Sequence, residues 1–296
     1  MYRSFGIIVE FIKDIYGFHF LKEPMDERIT RTEIQELKNA YDTMINIIHD
    51  KRKPFSQEFV RDVYPLLEIA VHWKKLKEFN ELTDEFLAHS RNGMQKTQNF
   101  YGSIFELDMA SRCLLSNWHI NFIEDTTKKG ESQIDFIFYT DNRVIGVDCM
   151  SKRFSGIFPS TTLSIEGVNS DIHNHAQKFK PEHITNLRIP LDEKLLIIDI
   201  TRKDYQHPEL VSSLKDTQIP SELDGVVFSW REDFANGEEH SLLVQYYHVG
   251  IPERGYFSVT YAAEFRPSAF FMRKYVYPEP KVGTAGPEET MEDYHR

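Results

Sequence analysis

The spacing of hydrophobic residues changes along this chain near residue 98. Upstream, apolar positions such as Ile34, Leu37 and Tyr41 recur every three or four residues, which is typical of one face of a helix. This spacing predicts a helical N-terminal region over residues 1–98. The polar stretch Asn92–Asn99 predicts a linker at its end.

Beyond the linker, helix-like and strand-like patterns follow one another. The predicted helices are Asn99–Ser116 and Ser164–Phe179, with a shorter one over 208–215. The predicted strands are Ile120–Ile123, Ile134–Tyr139, Val144–Met150, Leu195–Ile200, Val226–Trp230 and Leu242–Val249. This order predicts the α/β fold class, with a central mixed sheet flanked by helices over residues 99–278.

Two local features refine this picture. The polar turn Thr140–Arg143 predicts a hairpin between the second and third strands. The segment 279–296 is rich in Pro, Gly and Glu, which predicts a disordered acidic tail.

Cysteine usage and the N-terminal segment indicate the cellular setting. Cys113 and Cys149 are the only two cysteines among 296 residues, which excludes a disulfide framework and a cysteine-based zinc site. Charged residues interrupt the apolar stretch Tyr2–Phe20, so it predicts neither a signal peptide nor a membrane span. We therefore expect a reducing, cytoplasmic setting without a membrane partner.

The net charge of −11 argues against a broad basic surface for nucleic acid. Any such contact has to be local. The candidate basic pairs are Lys128-Lys129, Lys152-Arg153, Lys178 with Lys180, and Arg273-Lys274. Each pair on its own is more typical of a solvated surface.

Three carboxylates carry the candidate chemistry. Asp135 and Asp148 lie in neighbouring apolar strands, where an unpaired charge is costly to bury, and Glu106 lies in the preceding helix. Singly, Glu106 is more typical of an exposed helix face, and Asp135 could equally pair with Arg143 across the hairpin. Together, the three acids predict a site for Mg²⁺ or Mn²⁺, which prefer oxygen ligands.

The order of helix, three strands, helix and strand, with these acids, resembles the PD-(D/E)XK nuclease superfamily, whose fold is called restriction-endonuclease-like. The resemblance covers residues 99–200 and implies a metal-dependent nuclease acting on DNA or RNA. It implies that Glu106 is the acid of the first helix, Asp135 the aspartate of the second strand, and Asp148 the acid of the third strand. At Cys149 only the backbone carbonyl would face the metal, while the thiol would point into the core.

The chain departs from the family pattern at one position. The third strand reads Asp148-Cys149-Met150, with methionine where the family has lysine. Methionine cannot supply the positive charge that stabilises a reacting phosphate. Lys152 is the first predicted replacement because alternation places it on the strand face of Asp148, and Lys178 on the following helix is the second.

Other polar residues have simpler interpretations. His173, His175 and His183 lack the spacing of a zinc protease motif and are predicted to be surface or helix-end residues. Asp199 ends an apolar strand, so we expect it either to cap the next turn or to line the far side of the cavity.

Two functions from different classes remain open. The first is a Mg²⁺-dependent endonuclease, with a bacterial or phage-conflict (antiviral defence) effector as its setting. The second is a catalytically inactive protein of nuclease fold that binds or scaffolds. A lysine ammonium among the three acids would favour the first, and a cavity filled by methionine would favour the second. In either case the N-terminal helices would build their own core, a homodimer interface or a surface for a protein partner.

Overall fold

A computed structural model of the chain describes most of the segment downstream of residue 100 and parts of the segment before it. The described residues are 2–17, 42, 69–74, 76–78, 84–95, 100–115, 118–123, 134–140, 142–151, 165–184, 187, 189–201, 212–236, 239–251 and 260–265. Lys152 and the predicted tail 279–296 lie outside them.

Helices precede the first strand and follow the third. Before the sheet come α1 (Tyr2–Tyr16), the Trp73 helix (residues 69–74 and 76–78), α2 (Asp84–Gln95) and α3 (Phe100–Leu115). After the third strand come α4 (Ile165–Ala176), a 3₁₀ turn (Gln177–Phe179) and the short α5 (Pro181–Ile184). Another 3₁₀ turn, Leu214–Asp216, follows the fourth strand.

Seven described strands form one mixed sheet in the order in which they occur along the chain. They are β1 (His119–Phe122), β2 (Phe136–Thr140), β3 (Arg143–Ser151), β4 (Glu193–Asp199), β5 (Gly225–Asn236), β6 (Glu239–Val249) and β7 (Thr260–Phe265). The β3–β4 and β4–β5 pairs are parallel, and the other four neighbouring pairs are antiparallel. The predicted α/β class is therefore confirmed, as is the pairing of β2 with β3, where Thr140 lies opposite Arg143.

The two faces of the sheet belong to two separate hydrophobic clusters. Because side chains alternate along a strand, Val147 and Cys149 face one cluster and Met150 faces the other. The first core contains residues of α1, the Trp73 helix and α3, together with one face of the strands. The second core contains one face of α4, represented by Val168 and Ile172, and the opposite face of the strands. Helices on both faces explain why β4 is apolar at consecutive positions.

The predicted linker Asn92–Asn99 is wrong in its first half, because α2 continues through Gly93 to Gln95. The reason lies in packing between helices. A Cβ atom at Gly93 would collide with the side chain of Ser103 on α3, so glycine allows α2 and α3 to approach closely. The predicted boundary near residue 98 thus falls between two packed helices, and the division into two domains stays a prediction.

Several other elements differ from the predictions in length. β5 and β6 extend well beyond the predicted segments, and their pairing continues to Asn236 opposite Glu239. The strand β7 was not predicted from the sequence. The predicted helix 208–215 is described only from residue 212; residues 212 and 213 are helical, and the 3₁₀ turn Leu214–Asp216 follows them.

A buried polar network joins the Trp73 helix to α3. His72, Asp108, Ser111 and Arg112 are all nearly inaccessible to solvent. The His72 ring contacts the Ser111 hydroxyl through Nδ1, and its Nε2 lies 3.2 Å from Asp108 Oδ1. Arg112 Nε donates to the same Asp108 oxygen over 2.9 Å. The network therefore connects the N-terminal helices to the helix that carries Glu106.

Candidate functional site

The three predicted carboxylates converge at the start of β2 and the C-terminal half of β3. Asp148 lies within β3, Asp135 immediately precedes β2, and Glu106 projects from α3. The charges of Asp135 and Asp148 both act on Glu106, which places the three carboxylates in one electrostatic cluster. Glu106 and Asp135 are half-buried, and Asp148 is completely buried. Glu106 is therefore half-buried and within electrostatic range of the other two acids, contrary to the interpretation of it as an exposed helical glutamate.

Asp135 occupies the point where the β2–β3 ladder changes from main-chain to side-chain hydrogen bonding. Its backbone N–H still donates to the Val147 carbonyl over 2.9 Å. Its Oδ2 accepts the Cys149 backbone N–H over 2.6 Å. The pairing of Asp135 with Arg143 is not formed, because Arg143 forms an ion pair with Glu193. The residue just before β2 thus has its carboxyl held against β3.

Asp148 is held by a histidine in the last turn of α4 and by a lysine in the 3₁₀ turn that follows it. Lys178 Nζ donates to Asp148 Oδ1 over 2.5 Å, and His175 Nδ1 lies 2.5 Å from Asp148 Oδ2. His175 and Lys178 are three residues apart, so they lie on the same side of this helical segment. The Lys178 side chain is 19% exposed and that of His175 is 28% exposed. Both can therefore reach Asp148 while bordering solvent.

The electrostatics of the site reflect an excess of negative charge. Burial, followed by the charge of Asp148, raises the pKa of Asp135 to about 7. Burial and the charges of Asp135 and Asp148 raise the pKa of Glu106 well above its usual range. Burial opposes the charge on Lys178, but Asp148 and Asp135 outweigh it and raise the pKa of Lys178. The cluster therefore holds Lys178 in its charged form and keeps protons on carboxyls that ionise freely in water.

The position at which the family resemblance implies a lysine is filled by an apolar residue. Met150 is 6% exposed and packs in the second core with Ile134 and residues of α4. The first predicted replacement, Lys152, lies outside the described residues. Lys178, the second predicted replacement, is the lysine that contacts Asp148.

His175 was missed as a site residue by the sequence analysis. The prediction of a surface or helix-end position fits both His173, which is exposed, and His175, which lies in the last turn of α4, but it did not include the contact of His175 with the buried Asp148. The spacing of apolar residues in α4 could have indicated that His175 borders the buried face of the helix. His175 precedes Ala176 at the border of the apolar stripe that also includes Ile172 and Phe179.

Two other predicted positions have defined surroundings. Cys149 packs against the first core, on the face opposite Asp148, as expected. Burial, followed by the charges of Asp135 and Glu106, raises the pKa of its thiol. Asp199 accepts the Thr201 backbone N–H over 3.0 Å and therefore caps the turn after β4. Its other oxygen accepts the Ser151 hydroxyl over 3.3 Å.

The donor set has the chemistry that a hard divalent cation requires. Three carboxylates supply oxygen ligands, and the raised pKa values of Glu106 and Asp135 mean that one lysine does not neutralise the cluster. Within the described ranges, no three His, Cys, Asp or Glu side chains already surround a common ligand point. Cation binding would therefore include a movement of these side chains, while each oxygen of Asp148 keeps a lone pair beyond the one that faces His175 or Lys178.

No protein-family model, curated protein or solved structure matches this chain significantly. In the described part of the chain, no helix combines the length and apolar character needed to span a bilayer. The arguments for function therefore come from the site itself and from the topology that surrounds it.

Proposed function

We propose that this protein is a metal-dependent nuclease that cleaves phosphodiester bonds of DNA or RNA. One observation carries the proposal: Lys178 places its ammonium 2.5 Å from Asp148, in a cluster that also contains Glu106 and Asp135. A lysine among three acids was the arrangement expected of an active enzyme. A cavity filled only by Met150 was the arrangement expected of an inactive protein.

The strand topology supports a restriction-endonuclease-like core. From α3 onward, the chain forms an antiparallel β1–β2–β3 unit, crosses through α4 and adds β4 parallel to β3. The family resemblance implies this order of helix, three strands, helix and strand. In this interpretation α4 is the second core helix, and the 3₁₀ turn that follows it supplies the lysine that β3 lacks.

Each residue has a distinct role in the proposed site. Glu106, Asp135 and Asp148 would hold Mg²⁺ or Mn²⁺, with the Cys149 carbonyl as a further oxygen donor. The bound cation would supply charge neutralisation and activation of water at the phosphate. Lys178 would face the scissile phosphate and stabilise the negative charge that develops on it, which is the role of the family lysine.

The nucleic-acid substrate would have to bind a protein that is acidic overall. Because the net charge is −11, contact with the nucleic-acid backbone would depend on local basic residues such as Lys178 and Lys180. A role in conflict with phage, and a protein partner or second copy bound by the N-terminal helices, stay predictions.

The proposal is tested by cleavage of labelled duplex DNA, single-stranded DNA and RNA with purified protein in Mg²⁺, Mn²⁺ or EDTA. We expect cleavage of at least one substrate in the presence of metal and none in EDTA. The Lys178→Met variant, which keeps the length of the side chain but removes its charge, should cleave at least about a hundredfold more slowly. Asp148→Asn should be inactive.

The matched control is Lys215→Ala, an exposed lysine in the 3₁₀ turn Leu214–Asp216 that has no contact with Asp148 among the described hydrogen bonds and ion pairs. It should retain nearly full activity, and circular dichroism should show that every variant is folded. If Lys178→Met cleaves like the wild type while Asp148→Asn does not, the role of Lys178 is wrong and Lys152 becomes the candidate. A folded wild-type protein that cleaves none of the substrates would favour the binding or scaffolding alternative.

A further inference from the structure

His175 is the second partner of the most buried carboxylate in the site. Its Nδ1 lies 2.5 Å from Asp148 Oδ2, while Lys178 occupies Oδ1. An ionised carboxylate only accepts hydrogen bonds, so Nδ1 carries the hydrogen and donates it. The two contacts hold both oxygens of Asp148 and thereby limit rotation of its carboxylate.

We propose that His175 is a positioning residue for metal binding, which holds the carboxylate of Asp148 in the orientation that ligates the cation. This inference rests on the proposed function, because it assigns to Asp148 the role of a metal ligand. The physical basis is that ligating carboxylates depend on hydrogen bonds from neighbouring groups. Loss of such a neighbour typically lowers metal affinity or activity by about 10–100-fold.

The location of His175 separates this role from a purely structural one. Asp148 is completely buried, whereas the His175 side chain is 28% exposed and sits in the last turn of α4. The buried side of that helix consists of Val168, Ile172 and Ala176. Removal of the imidazole therefore leaves the packing of α4 on the sheet in place and removes the donor to Asp148.

Two substitutions of His175, one to asparagine and one to alanine, offer a test by selective rescue. In asparagine the amide nitrogen lies near the position of Nδ1, so His175→Asn can still donate to Asp148. In His175→Ala the donor is absent. A positioning role predicts that Asn restores what Ala loses, whereas a role for the other ring nitrogen predicts that Asn and Ala behave alike.

The experiment measures Mn²⁺ binding by calorimetry, and cleavage as separate kcat and KM values, for the wild type, His175→Ala, His175→Asn and the control His173→Ala. His173 lies two residues earlier on the same helix and is exposed. We expect His175→Ala to weaken Mn²⁺ binding by about 10–100-fold and to lower kcat at fixed metal, with little change in KM for nucleic acid. His175→Asn should recover most of both losses, and His173→Ala should match the wild type.

The outcomes distinguish failure of the role of His175 from failure of the proposed nuclease function. Wild-type protein that neither binds Mn²⁺ nor cleaves nucleic acid would overturn both. If the wild type binds and cleaves, and His175→Ala does so equally well, only the role of His175 is overturned. If Asn fails to restore binding although its thermal unfolding matches that of the wild type, the orienting hydrogen bond is likewise overturned.

Discussion

Replacing Asp135 with asparagine is expected to stabilise the metal-free protein increasingly as the pH rises. Asparagine retains an oxygen that can accept the Cys149 N–H, but it carries no charge next to Asp148. The pKa of Asp135 is raised from its ordinary 3.8 to about 7, by burial and by the charge of Asp148. The stability contributed by its protonated form is thus fully present below about pH 4 and is lost as the pH rises through about 7.

The size of the effect follows from the same shift. One pH unit corresponds to about 1.4 kcal/mol, so raising the pKa of Asp135 to about 7 costs at most on the order of 4 kcal/mol once the group is ionised. Between pH 5 and pH 8, the advantage of Asp135→Asn over the wild type should grow by up to about 3 kcal/mol. Glu106 titrates in the same cluster, so the measured slope belongs to the cluster as a whole.

Urea unfolding in EDTA at pH 5, 6, 7 and 8 measures this advantage. With a urea dependence on the order of 3 kcal/mol per M, the unfolding midpoint of Asp135→Asn should move away from that of the wild type by up to about 1 M. Asp216→Asn, which neutralises an exposed carboxylate, serves as the control and should show no such trend. An advantage that stays constant with pH, or an Asn variant that is less stable at pH 8, would refute the reasoning. Added Mn²⁺ should reverse the order, because the cation stabilises only the chain that keeps its ligand.

Three further predictions concern the lysine, the buried network and the sheet. Adding Met150→Lys to Lys178→Met should restore part of the cleavage that Lys178→Met loses, because it places an ammonium at the β3 position where the family resemblance implies a lysine. A double variant that cleaves as slowly as Lys178→Met would contradict this. Asp108→Ala should lower the free energy of unfolding by about 3–5 kcal/mol in urea, because it removes a carboxylate from a buried guanidinium. Gly146→Ala should destabilise by about 1–3 kcal/mol, since its Cβ would lie 2.6 Å from a Leu191 methyl group. Gly102→Ala in α3, where nothing lies within 4 Å of the new Cβ, should be neutral or stabilising in the same assay.

The sequence by itself determined the elements around the site and most of their order. Hydrophobic spacing predicted α3, α4 and the strands β1 to β4, and the short polar turn predicted the β2–β3 hairpin. These features depend on contacts between residues close together in the chain, so they leave a periodic pattern. The three acids were also recognisable, because a carboxylate within an apolar strand or beside one is costly unless something compensates it.

Only the tertiary structure showed that Lys178 and His175 reach Asp148. Strand alternation predicted Lys152, four residues after Asp148 in the sequence, because alternation relates positions within one strand. Lys152 lies outside the described residues and stays a prediction. The crossover from β3 to β4 brings Lys178 and His175 to Asp148 from about thirty residues away. The spacing of α4 indicates which of its faces is apolar, but it does not specify where along the sheet that face is placed.

The extension of α2 through Gly93 has a similar explanation. In the sequence, a glycine within a polar stretch is typical of a linker, and the residue that justifies it, Ser103, belongs to the next helix. The same holds for the extra length of β5 and β6, whose backbone groups are satisfied by neighbouring strands rather than by a local pattern. Periodicity records the environment of each element, whereas packing between elements distant in the chain decides which side chains meet.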